Sequence, residues 1–288
     1  MNSSKHAAPR SPVAPGEEWK DANTIAARRK WKRKLDLFFR PATRIILEAA
    51  QVRPGLEVLD TASGMGEPAV ELAAAVAPTG HVTATDFEPN VLEVAAAEAR
   101  SRGLSNLTTR QADAQALPFA DQSFDRVTCR FGIMFFPDSG KALREALRVL
   151  KAGGRAVYVA WTAPHQPIYK TTTGILTKYV HEPPPDLDAP HPLRFAEPGS
   201  LRRAMEEAGF AQVEEQARAI TLIWPGPPAE YWQRFAETAV AFRSLIDGVP
   251  AEKREAVFGE IVAAISEYYD GRQITFPGTI VVATGIRE

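Results

Sequence analysis

The amino-acid sequence predicts an α/β fold with a seven-stranded, mostly parallel sheet, and three observations carry that expectation. Short apolar runs alternate with longer Ala-rich helical patterns from about residue 54 to residue 161, the signature of repeated βα units. The first of these units turns through a glycine pair, Gly64 and Gly66. The composition, 45% hydrophobic and 24% charged over 288 residues, is that of an ordinary globular chain long enough to bury a sizeable core.

Residues 1–18 read as a polar, mobile tail and residues 19–288 as a single domain. Residues 19–50 repeat apolar positions at helical spacing, with Pro41 as the one strong breaker, so two or three helices are expected. Their basic run, RRKWKRK (28–34), is expected to be a solvated helix face. The core, residues 51–161, opens with the strand LEVLD (56–60), the turn TASGMGEP and the helix PAVELAAAVA. The strand HVTATD (81–86) and a helix stopped by Gly103 follow. A third strand, LTTRQAD (107–113), a fourth, FDRVTCRFGI (124–133), a helix over 140–154 and a fifth strand, RAVYVAW (155–161), complete the core. Residues 162–196 form a proline-rich insertion. The C-terminal part, 197–288, holds an amphipathic helix (200–210), a sixth strand (213–224), a second insertion of two helices (227–270) and a last strand near the C-terminus.

Lys+Arg 34 against Asp+Glu 35 leaves a net charge of -1, so no global field recruits nucleic acid or an anionic membrane. No stretch approaches the roughly 18 apolar residues of a membrane span. The one cysteine, Cys129, can make neither an intramolecular disulfide nor a multi-thiolate zinc site, which points to the cytoplasm. It reads as a small buried hydrophobe on an interior strand. Three histidines of the insertion, His165, His181 and His191, are too widely spaced for a metal site, and none is expected.

The first turn carries the chemistry. Gly64 and Gly66 permit positive φ and close approach of backbone to a ligand, and Asp86 follows at the end of the second strand, where an acid can accept hydrogen bonds from ribose hydroxyls. Asp60 ends the first strand beside the turn. A carboxylate there repels a pyrophosphate and suits an ammonium, so a ligand with an amino-acid end fits better than a dinucleotide. The third strand also ends in an acid, Asp113, next to Ala114. Three acids thus stand at the C-terminal ends of three successive strands, where open α/β sheets bind ligands.

The segments VLDTASGMGEPA, TATDFEP, ADAQALPFADQSFDRV, FGIMFFPD and EALRVLKAGGRAVYVAW resemble, in order and spacing, the motifs of class I S-adenosylmethionine-dependent methyltransferases, most of all the group containing the ubiquinone and menaquinone biosynthesis enzymes. The resemblance covers residues 51–161 and implies a Rossmann-like fold. It implies S-adenosyl-L-methionine as cofactor and S-adenosyl-L-homocysteine as product. It places Asp60, Ala62, Gly64 and Gly66 around the methionine part, Asp86 on the ribose and Phe87 on the adenine. Asp113 and Ala114 would meet the adenine edge, and Arg130 and Phe131 the methionyl chain. Ala62 departs from the family glycine, and Pro68 stands at the helix start, a position that loses no intrahelical bond.

All tryptophans and tyrosines lie outside residues 51–157. Trp31, Tyr169, Tyr179, Trp224 and Trp232 are therefore the candidates for a pocket holding a small aromatic or lipophilic acceptor, with packing of the added helices as their other role. His165 and His181 are weak candidates for a general base. A monomer or homodimer acting on a small molecule is expected. Two rival readings share the glycine turn and Asp86: an NAD(P)-dependent oxidoreductase and a non-catalytic S-adenosylmethionine-binding protein.

Overall fold

A computed structural model describes residues 17–162, 165–181, 186 and 188–288. Of the expected tail, residues 1–16 lie outside these, and Glu17–Lys20 form a short 3-10 helix. The sheet has seven strands: β1 Glu57–Thr61, β2 His81–Asp86, β3 Leu107–Gln111, β4 Phe124–Arg130, β5 Leu150–Trp161, β6 Ala211–Trp224 and β7 Ile274–Ile286. Their spatial order is β3-β2-β1-β4-β5-β7-β6. The pairs from β3 to β5 are parallel, and β7 runs antiparallel between β5 and β6. The order reverses between β1 and β4, so the ends of β1, β2 and β4 open onto one crevice, the place where such sheets bind ligands.

The crossover helices α2 (Ala69–Val76), α3 (Pro89–Ser101) and α4 (Ser139–Val149) follow β1, β2 and β4. Each begins at a position that satisfies or avoids free N–H groups. Glu88 and Asp138 cap α3 and α4 through their carboxylates, and Pro68 precedes α2. The fourth strand is shorter than expected, because Ile133–Phe135 turn into a 3-10 helix. The helix expected over 140–154 ends at Val149, and the Lys151–Gly154 stretch joins β5, where two glycines oppose helix and accept an extended bend.

The N-terminal expectation of two or three helices is corrected to one. α1 runs unbroken from Ala22 to Ala49 through Pro41, started by Asp21, whose side chain accepts from Thr24 N at 2.9 Å. Phe38, Ala42, Ile45 and Ile46 are buried on either side of Pro41. Their packing onto the sheet outweighs the lost backbone bond, a defect of about 3 kcal/mol in a helix interior.

Short helices α5 (Pro167–Lys170) and α6 (Thr173–Leu176) shape the first insertion, and α7 (Ser200–Glu207) precedes β6. The second insertion holds three α-helices rather than two: α8 (Pro228–Thr238), α9 (Arg243–Asp247) and α10 (Arg254–Ser266). Among the described residues no helix is long and apolar enough to cross a membrane.

The basic run of α1 is solvated in part, with Arg29, Lys30 and Arg33 exposed, and its lysines also make ion pairs. Lys30 pairs with Glu237 and Lys34 with Glu230 on α8, while Lys32 pairs with Asp36 one turn on. Because Pro41 interrupts the hydrogen-bond ladder of a helix that packing already holds, Pro41→Ala is expected to stabilise the protein by about 1–3 kcal/mol. Thermal melts check this; an unchanged midpoint would mean that the helix has relaxed fully around the proline.

Candidate active site

Parallel register places the site residues. Asp60 on β1 lies opposite Thr128 on β4, and Thr128 Oγ1 donates to Asp60 Oδ1 at 2.6 Å. The other carboxylate oxygen, Oδ2, is buried with no hydrogen-bond partner among the described residues. Burial pushes the Asp60 carboxyl up to about 7, against the Thr128 bond and the charge of Arg130. Arg130 ends β4, and its Nη1 donates to Thr43 Oγ1 at 2.6 Å while its Nε is buried and unpartnered. Thr43, on α1, donates in turn to Glu67 in the first turn at 3.1 Å. Burial raises the Glu67 carboxyl, with Arg130 opposing.

The turn after β1 crosses Ala62, a non-glycine residue at φ 52°, and then Gly64 and Gly66. These two glycines do different work. A Cβ on Gly64 would meet nothing within 4 Å, whereas on Gly66 (φ +106°) it would sit 3.0 Å from Ala95 Cα and Cβ of α3. Gly66 therefore lets α3 pack against the turn, and Gly64 borders open space. Asp86, at the end of β2, ties the turn in place: its Oδ2 accepts from Gly64 N at 2.9 Å and its Oδ1 from Glu88 N at 3.1 Å. Burial raises the Asp86 carboxyl, and the two backbone N–H groups and the charge of Arg28 oppose it.

Phe87 is one of the few large apolar side chains left exposed, at 38%, and Lys20 Nζ stands 5.6 Å from its ring centre. Trp19 meets Phe135 edge-on at 5.0 Å and carries the Arg28 guanidinium over its ring at 4.2 Å. Burial lowers Arg28 to about 10 while Asp86 opposes. The start of the chain's described part thus covers the β2 end of the crevice. Asp113 and Ala114 lie just beyond β3, where Asp113 is exposed and accepts from Gln115 N at 2.8 Å.

Phe131, at φ 59°, leaves β4 and stacks on Trp161 at 4.5 Å. Phe39 of α1 joins both rings, and Tyr169 meets Trp161 edge-on at 6.1 Å. Of the candidate acceptor aromatics, Tyr169 is thus the one linked by direct ring contact to the β5 end. Trp31 and Trp224 pack against each other at 5.8 Å between α1 and β6, and Trp31 Nε1 donates to Glu237. Trp232 packs on Phe235 and Phe258 within the second insertion. Tyr179 is half-buried and donates its hydroxyl to Glu260 at 2.8 Å.

His165 and His181 are both exposed. Cys129 is buried, and burial lifts its thiol to about 12. Among the described residues no cluster of His, Cys, Asp and Glu has the form of a metal site. Sequence reasoning missed Arg28, Thr43, Glu67 and Thr128. Arg28 was visible as the first residue of the basic run, and Thr128 only through strand register.

A family model for the ubiE/COQ5 methyltransferase family matches residues 35–183. A demethylmenaquinone methyltransferase of Staphylococcus aureus is 36% identical over 178 residues, 58% of this chain and 73% of its own length. Among solved structures, a Bacillus halodurans protein classed as a methyltransferase superposes with a TM-score of 0.55 at 25% identity, covering 85% of this chain and 98% of its own. The Haemonchus contortus phosphoethanolamine N-methyltransferase 2, in complex with phosphomonomethylethanolamine and S-adenosylhomocysteine, shares the fold with a TM-score of 0.55 at 15% identity, over 96% of this chain and 61% of that one. These findings set aside both the oxidoreductase and the non-catalytic reading.

The two glycines give separable outcomes. Gly66→Ala is expected to destabilise by about 2–4 kcal/mol, from left-handed strain and overlap with α3. Gly64→Ala should cost only about 1 kcal/mol of stability and act on ligand affinity instead. Denaturant melts of both variants, beside calorimetry with S-adenosylhomocysteine, distinguish the roles.

Proposed function

The chain belongs to the ubiE/COQ5 methyltransferase family and is an S-adenosylmethionine-dependent methyltransferase, and we propose that it methylates a small aromatic or lipophilic acceptor at an O, N or C atom beside the ends of β1 and β4. One observation carries the placement of the cofactor. Asp60 Oδ2 and Arg130 Nε are buried, unpartnered and of opposite charge on neighbouring strands. They complement the ammonium and carboxylate of an amino-acid end.

S-adenosylmethionine supplies an electrophilic methyl group on a sulfonium. Asp60 would hold its ammonium and Arg130 its carboxylate, with Phe131 alongside and the backbone of Ala62, Gly64 and Gly66 enclosing the methionyl part. Asp86 would receive the ribose hydroxyls, since each of its oxygens accepts one backbone bond and has room for a second. Phe87 would lie on the adenine face, and Asp113 with Ala114 at its edge. Continuity of one sheet from residue 57 to residue 286 supports reading residues 19–288 as a single methyltransferase domain.

For the acceptor, the rings of Phe39, Phe131, Trp161 and Tyr169 support a flat or apolar substrate. The name of the Staphylococcus aureus relative supports a quinone-like ring as one such class. Holding donor and acceptor in contact supplies most of the rate in a direct transfer, with no covalent side chain. The exposure of His165 and His181 supports a route without either as base. His165→Ala and His181→Ala should each lower kcat by less than tenfold, against the roughly 10²–10⁴-fold of general-base loss.

Asp60 gives the direct test. To receive an ammonium it must shed the proton that burial retains up to about pH 7, so S-adenosylmethionine affinity should fall about tenfold per unit below that pH. The alkaline limb should follow the cofactor's own amine, near the α-amino value of about 7.7–8.0. Asp60→Asn should bind more weakly and lose the acid limb. A carboxyl raised on folding destabilises the ligand-free protein progressively as pH rises from its unfolded value towards 7. Asp60→Asn without ligand should therefore melt higher than the wild type at pH 8. Calorimetry and melts from pH 5.5 to 9 measure both, and an unchanged acid limb in the variant would remove Asp60 from the cofactor site.

A further inference from the structure

The second insertion buries an arginine that the described residues satisfy only in part, Tyr231 being the one side chain among them that hydrogen-bonds to it. Arg234 of α8 is 6% exposed, and both its Nε and its Nη2 lack hydrogen-bond partners. Its guanidinium carbon stands 4.2 Å from the ring centre of Tyr231, 5.1 Å from Trp224, 5.4 Å from Phe38 and 5.9 Å from Phe235. The two acids one turn away on α8 are otherwise engaged. Glu230 takes Lys34 and Trp224 Nε1, and Glu237 takes Trp31 Nε1, Lys30 and Gln233. No carboxylate among the described residues forms an ion pair with Arg234. Ring faces return part of the desolvation of a cation, but they do not replace acceptors for two buried N–H groups.

The two unpartnered donors share one edge of the guanidinium. Nε–H and the Nη2–H beside it point the same way, and that edge receives a carboxylate through two parallel hydrogen bonds. A series of ring contacts joins the surroundings of Arg234 to the end of β4: Phe235 stacks on Phe242 at 5.9 Å, Phe242 meets Tyr169 at 6.1 Å, and Tyr169 meets Trp161 at 6.1 Å, which stacks on Phe131.

We propose that Arg234 binds a carboxylate on the acceptor, which makes the substrate class aromatic carboxylic acids rather than neutral lipophiles. This rests on the acceptor site lying beside Phe131 and Trp161. The ring-lined side takes the flat body of the acid, and Arg234 fixes its far end, orienting the nucleophilic atom towards the methyl donor. A neutral acceptor leaves the arginine edge unpaired and binds less well, so the same residue discriminates among ring compounds of similar size.

The test uses the full chain saturated with S-adenosylhomocysteine and the probes benzoate and 2-naphthoate, each beside its amide. Calorimetry is expected to show at least one acid binding ten or more times tighter than its amide. Arg234→Met should bring each acid within twofold of its amide while S-adenosylhomocysteine affinity stays unchanged, and without ligand it should melt no lower than the wild type. Arg234→Lys, which keeps the charge and loses the planar fork, should keep only part of the preference, and it carries the test if the methionine variant fails to fold. Equal binding of acid and amide, binding of neither, or a preference surviving in Arg234→Met overturns the proposal. Failure of the wild type to bind S-adenosylhomocysteine would instead overturn the cofactor reading.

Discussion

The Asp60 carboxylate is kept from water at the junction of β1 and β4, with one oxygen bonded to Thr128 and the other without a partner among the described residues. The arrangement around it follows from that constraint. A buried charge left half-satisfied is tolerated only where the sheet is rigid enough to prevent relaxation, and here β2 and β4 flank β1 in continuous parallel register. Arg130 supplies a compensating charge from the next strand without closing an ion pair, so acid and base remain both present and both incomplete. Under the proposed function, the ammonium and carboxylate of a zwitterion would supply the partners that both groups lack.

Helix α1 completes the arrangement from outside the βα core. Thr43 accepts from Arg130 and donates to Glu67, joining the helix, the β4 end and the first turn in one hydrogen-bonded chain. One turn earlier, Phe38 and Phe39 present rings to different surroundings: Phe39 faces Phe131 and Trp161, and Phe38 faces Trp224, Tyr231 and Arg234. The salt bridges from Lys30 and Lys34 to α8 hold this helix against the second insertion. Exposed pairs such as these contribute little stability singly. Their value lies in fixing which face of α1 meets the sheet.

Much of this was legible in the sequence because strand and helix periods are local signals. The strands β1, β2, β3, β6 and β7, and the crossover helices α2 and α3, fall close to where apolar periodicity put them. The continuity of α1 was not legible, since Pro41 is a local breaker and what overrules it is the tertiary burial of Phe38, Ala42, Ile45 and Ile46. The different roles of Gly64 and Gly66 were equally hidden: the positions of Ala95 on α3 and Val70 on α2 separate them. Thr43, Glu67 and Thr128 are short, common residues whose importance arises from register and helix placement. Arg234 carried no sequence signal either, because an arginine on an amphipathic helix reads as surface until its neighbours are known.

The placement of β7 between β5 and β6 bears on how the chain is made. Translation delivers β6 before β7, yet β6 has no neighbour in the sheet other than β7. Until Ile274–Ile286 leaves the ribosome, the five strands from β3 to β5 can assemble from contacts close in sequence. β6 meanwhile waits as a long strand without a mate, together with the helices α8 to α10. Before β7 is made, the sheet edge at β5 is open, the sort of edge that invites pairing between chains. Slow or crowded synthesis over residues 211–286 is where association with chaperones, or with a second nascent copy, would be decided.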